Sequence, residues 1–139
     1  MPFAIIKRAV LEELRRDIRR KEIAFLIGPR QAGKTTIMQI IQGEMEAAGE
    51  KTLFLSLDYD YDREYFASQQ SLLKKIELEL GGGPGFVFID EIQRREDAGV
   101  FLKGLQDMRL PTPLTFGVGP RYVVDITHKR PKNTPFSAL

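Results

Sequence analysis

The sequence predicts an α/β fold, a three-layer α/β/α sandwich built on a mostly parallel sheet. Three observations predict it. Strand-length runs rich in apolar residues occur at 23–27, 52–57 and 86–89, as buried strands require. Stretches with apolar residues three and four apart lie before, between and after them, as amphipathic helices require. Glycine-rich turns punctuate the series at 28–33 and 81–85. Strands alternating with helices imply crossover connections and hence parallel pairing.

Each element follows in order. Residues 6–20 place Ile6, Val10, Leu11, Leu14 and Ile18 on one stripe, which predicts a helix. Arg15, Arg16, Arg19 and Arg20 gather in its last turns, where the helix dipole favours cations. Such a stripe reads first as a solvated face and second as a phosphate contact. Ile23-Ala24-Phe25-Leu26-Ile27 is the first strand. A helix over 33–48 buries Ile37, Met38, Ile41 and Met45, and Gly49 is placed to end it. The second strand is 52–57. An acidic loop with Asp58, Asp60 and Asp62 follows, then a helix over 63–80. The three aspartates alternate as in a calcium loop but lack that loop's glycine and distal glutamate. The third strand, Phe86-Val87-Phe88-Ile89, ends in Asp90-Glu91, and a helix over 97–108 follows.

The character changes after Leu110. Five of the eight prolines lie in 111–139, and only residues 121–126 of that stretch are strand-like. The expected organisation is a core over 1–113 and a basic, proline-rich tail over 114–139, with a disordered end from Lys129.

With 139 residues the chain has room for one ordinary domain. The absence of cysteine excludes disulfides, thiolate zinc sites and cysteine nucleophiles. A net charge of +2 neither argues for a nucleic-acid partner nor excludes one. No apolar run approaches the roughly 18 residues of a spanning helix, and the start lacks a signal-peptide pattern. The expected location is the cytoplasm, away from any membrane.

The chemistry concentrates at two motifs. Gly28-Pro29-Arg30-Gln31-Ala32-Gly33-Lys34-Thr35 has the P-loop spacing, with Thr36 next. The glycines let the backbone turn sharply and approach an anion, and successive N–H groups then point at it. The following helix adds its positive end and unpaired donors. Lys34 would bring a charge to the β- and γ-phosphates, Thr35 a hydroxyl to Mg²⁺, and Thr36 a hydroxyl near the α-phosphate. Two fixed glycines followed by Lys and Ser/Thr arise at a random start only about a few times in 10⁵.

The second motif is the strand ending in Asp90-Glu91. Asp90 would hold Mg²⁺ through a water, and Glu91 would polarise a water for attack on the γ-phosphate. Adjacent carboxylates with separate tasks suit hydrolysis better than phosphate transfer to a small molecule. The chain lacks an Asn-Lys-x-Asp guanine signature, but the residues alone leave ATP and GTP both open. Lesser candidates are Arg30 and Gln31 within the loop, and Gln93, placed to sense the γ-phosphate or orient water. Arg94, Arg95 and Arg109 are open as arginine fingers, and His128 reads as incidental.

At Gly28–Thr36 and Ile89-Asp90-Glu91-Ile92-Gln93 the chain resembles the N-terminal domain of archaeal and bacterial AAA-type ATPases with a GPRQ-x-GKT loop and an IDEIQ strand end. The likeness covers residues 4–113. It implies ATP and Mg²⁺ as ligands, ATP hydrolysis as the activity, and the roles above for Lys34, Thr35, Asp90 and Glu91. A homo-oligomer or a protein partner is left open. From Leu114 the pattern departs, through a natural short variant or a shifted reading frame. Members of the family next carry a strand ending in a polar sensor, which lies between the P-loop strand and the Asp90 strand. The expected sheet is therefore incomplete at the sensor strand, or filled there by 115–118 or 122–126. The alternative functions are a nucleotide-binding switch without efficient hydrolysis and, behind it, a P-loop kinase.

Overall fold

The structure, a computed structural model, describes residues 3–20, 23–28, 33–81, 83–107 and 121–127. Helix α1 (Phe3–Arg20) leads into β1 (Ile23–Gly28), α2 (Lys34–Ala47) and β2 (Thr52–Ser56). A short α3 (Asp60–Arg63), a 3-10 turn (Glu64–Ala67) and α4 (Gln69–Leu80) follow. Then come β3 (Phe86–Asp90), a second 3-10 turn (Ile92–Arg94), α5 (Ala98–Asp107) and β4 (Arg121–Thr127).

The four strands form one parallel sheet in the order β1-β4-β3-β2. The late strand thus enters the middle. Tyr122 to Thr127 pair with Ile23 to Gly28 on one side, and Arg121 to Val124 with Phe86 to Ile89 on the other. The position expected to be vacant is occupied by the 122–126 alternative, extended by a residue at each end. Residues 115–118 and the end from Lys129 lie outside the described residues.

The period-two alternation of strands feeds two cores. Ala24, Leu26, Phe88 and Val123 face α1 and α2, where Leu14, Ile18, Ile37, Met38, Ile41 and Met45 are buried. Tyr122, Val124, Val87 and Ile89 face the opposite layer, with Leu72, Ile76 and Leu80 of α4 and Phe101, Leu102 and Leu105 of α5. Val87, Phe88, Ile89, Val123 and Val124 are each fully buried, so β3 and β4 are covered on both faces.

One expected helix is divided. The helix predicted over 63–80 is the end of α3, a 3-10 turn and α4. Ser68 causes the break. It adopts extended backbone, and its hydroxyl accepts from Ser71 N at 3.0 Å, an N-cap that starts α4 afresh. Gly81 ends α4 in the left-handed region, at φ 71, where glycine carries no Cβ penalty.

Candidate functional site

Parallel strands bring all their C-terminal ends to one edge, the edge at which open α/β sheets bind ligands. In register order that edge carries Gly28, Thr127, Asp90 and Ser56. The crossover from β1 to α2 begins there. Gly33 precedes α2 in the left-handed region, φ 77 and ψ 25, so the turn into the helix needs its missing Cβ. Ile37 N donates to Gly33 O at 3.0 Å and closes the first turn. A helix leaves its first N–H groups without intrahelical acceptors, and no acidic residue stands in the first turn of α2 to compete for them. Pro29, Arg30, Gln31 and Ala32 lie outside the described residues.

Lys34 is buried at 4% exposure, whereas Thr35 and Thr36 are exposed. The Thr35 hydroxyl donates to Asp90 Oδ2 at 3.2 Å. Asp90 is itself buried, and its Oδ1 has no hydrogen-bond partner among the described residues. A buried carboxylate oxygen without a donor is costly unless a cation or bound water meets it. Hydroxyl and carboxylate are hard oxygen donors, the kind Mg²⁺ takes, and Mg²⁺ fills its remaining positions with water and phosphate oxygens. No group of three His, Cys, Asp or Glu suited to a metal occurs among the described residues. A cation at Thr35 and Asp90 would therefore depend on water and phosphate for its other ligands.

Glu91 leaves the strand abruptly. Its φ of 60 makes it the one non-glycine residue with positive φ among the described residues. Such a conformation costs of order 1–3 kcal/mol and persists where surrounding contacts impose it. Here they do: Glu91 is buried, and Gln93 Nε2 donates to Glu91 Oε2 at 2.6 Å. The adjacent carboxylates therefore have different partners, Thr35 for Asp90 and Gln93 for Glu91.

A supporting layer was not foreseen from sequence. Ser56 pairs in register with Asp90, and Leu57 N donates to Asp90 O at 3.1 Å. Ser56 N in turn donates to Asp62 Oδ2 at 3.0 Å, and Asp62 is buried. The three aspartates thus do different work. Asp62 ties the loop beneath β2, Asp58 pairs with Arg94, and Asp60 pairs with Arg63. Alternating acids at a strand end were the visible signal, but spacing does not say which one turns inward.

Among the arginine candidates, Arg94 is engaged by Asp58. Arg95 donates to Phe66 O at 2.7 Å and lies over the Phe101 ring at 4.2 Å, a packing role. Arg109 and His128, like Arg30 and Gln31, are outside the described residues.

Comparison with known proteins agrees with this architecture. The profile of a family described as AAA domain matches residues 20–117. The hemin import ATP-binding protein HmuV of Plesiomonas shigelloides is 44% identical over 48 residues, 34% of this chain. That match spans 18% of the HmuV chain. No solved structure matches. No helix among the described residues is long and apolar enough to cross a membrane.

Proposed function

The chain belongs to the AAA-domain family, and from that premise we propose that it binds ATP with Mg²⁺ and hydrolyses it by in-line attack of water. The observation that carries the proposal is the pairing of Thr35 with Asp90, whose second carboxylate oxygen is buried without a donor among the described residues. The ATP-binding relative supports a nucleotide of the same kind. The GPRQ-x-GKT and IDEIQ motifs support the finer likeness to archaeal and bacterial AAA-type ATPases.

By their P-loop spacing Gly28, Pro29, Arg30, Gln31, Ala32 and Gly33 would bind the phosphates, with the first turn of α2 and Thr36 adding donors. Lys34 places its charge against the β- and γ-phosphates, where negative charge shifts during transfer. Thr35 and Asp90 would hold the cation, which would supply charge neutralisation at the phosphates. Glu91 orients water and accepts its proton. The core is residues 1–113 with β4 of the tail completing its sheet.

Titration of a fluorescent ATP analogue with Mg²⁺ tests the site. Lys34→Ala should weaken binding at least about tenfold, the loss of one charged contact of about 1.5 kcal/mol or more. Binding that survives Lys34→Ala unchanged would remove the P-loop as the site.

A further inference from the structure

Gln93 stands two residues beyond the acidic pair and is absorbed by neither the phosphate loop nor the cation site. Its surroundings make it more than a solvated polar residue. It is the middle residue of the 3-10 turn Ile92–Arg94, and that turn is pinned on both sides. Ile92 is fully buried in the core shared with α4 and α5. Arg94 is paired with Asp58 on the loop after β2. Arg94 N and Arg95 N close the turn onto Glu91 O and Ile92 O. The amide of Gln93 is thus carried by an anchored piece of backbone.

The acceptor of that amide is equally constrained. Glu91 has left-handed backbone, which fixes the direction of its Cα–Cβ bond away from the strand's alternation. It is buried to 8% exposure, so its long side chain gives up rotamer freedom and needs a partner to define its course. The 2.6 Å bond from Gln93 Nε2 to Glu91 Oε2 supplies one. That donor takes one of about four acceptor positions on the carboxylate.

We infer that Gln93 is a positioning residue for Glu91, holding its carboxylate in the orientation from which it handles the attacking water. The inference rests on the hydrolytic reading above. A group that orients a working side chain matters to turnover without touching the nucleotide. Its loss typically costs about 10- to 100-fold. The effect belongs in kcat, because ATP binding depends on the phosphate loop and the cation site.

Steady-state ATP hydrolysis by the full chain separates this role from packing. Gln93→Ala removes the side chain, and Gln93→Glu keeps its size while replacing the amide donor by a like charge. Gln93→Ala should lower kcat at least about tenfold with KM and the thermal unfolding midpoint little changed, and Gln93→Glu should lower kcat at least as much with KM little changed. A pure packing role would spare Gln93→Glu. Glu91→Gln, measured alongside, identifies the cause of a failure. If Glu91→Gln is slow while Gln93→Glu matches wild type, the positioning role is overturned alone. If Glu91→Gln is as fast as wild type, the hydrolytic reading falls, and the role of Gln93 with it.

Discussion

Thr35 donates its hydroxyl to Asp90 across 55 positions of sequence, joining the first turn of α2 to the end of β3. The contact satisfies Asp90 Oδ2 and leaves Oδ1 buried without a donor among the described residues. Removing the charge from that carboxylate should have two opposite consequences. Asp90→Asn should abolish most of the gain in ATP affinity that Mg²⁺ brings to the wild type. It should also leave the nucleotide-free protein at least as stable, since a buried carboxylate with one oxygen lacking a donor no longer has to carry a charge. Nucleotide titrations with Mg²⁺ and with chelator, and thermal melts without nucleotide, read both. An equal Mg²⁺ gain in both proteins would take Asp90 out of the cation site.

The sheet depends on a strand beyond the family match. β4 begins at Arg121, after the matched region ends at residue 117, yet it bridges β1 and β3. Among the described strands β1 has no other partner. A chain ending at 117 should therefore lose its cooperative unfolding transition. Val123→Asp, a charge placed in a fully buried position, should do nearly the same. Circular dichroism melts check both. A sharp wild-type-like transition in the shortened chain would mean that β4 is dispensable.

α1 is tied to α2 by Arg15, whose Nε donates to Glu44 Oε1 at 2.9 Å and whose Nη2 pairs with Oε2. The hydrogen bond from Arg15 holds the Glu44 carboxyl below its ordinary value of 4.5, and the same bond raises Arg15. A lowered folded value means that the pair stabilises above the unfolded value. That contribution fades as pH falls through the folded one. Both side chains are more than a third exposed, so the effect should stay below about 1 kcal/mol. Glu44→Gln should melt slightly below wild type at neutral pH, and the gap should close in acid and shrink in salt. A gap that widens in acid would contradict the pairing.

The turn at Gly33 into α2 and the acidic end of β3 were legible because their signals are local. Gly33, Lys34, Thr35 and the run Phe86–Asp90 state their own backbone needs within a few residues. The place of β4 was legible only as one of three options, beside a gap and residues 115–118. Strand pairing joins distant segments, and Tyr122, Val123 and Val124 are equally good strand residues at an edge or in the centre. The left-handed turn at Glu91 left no trace in sequence, since it falls on glutamate where glycine would have announced it. Nor did spacing separate Asp62, buried under Ser56, from its exposed neighbours Asp58 and Asp60.

The central claim is hydrolysis that depends on Glu91, and single-turnover phosphate release tests it most directly. Wild type and Glu91→Gln are each loaded with Mg²⁺ and ATP at saturating protein. Both should bind nucleotide, and the wild type should release phosphate faster by about 10² to 10⁴, the range of a positioned general base. Equal release rates from two proteins that bind ATP equally would contradict the account.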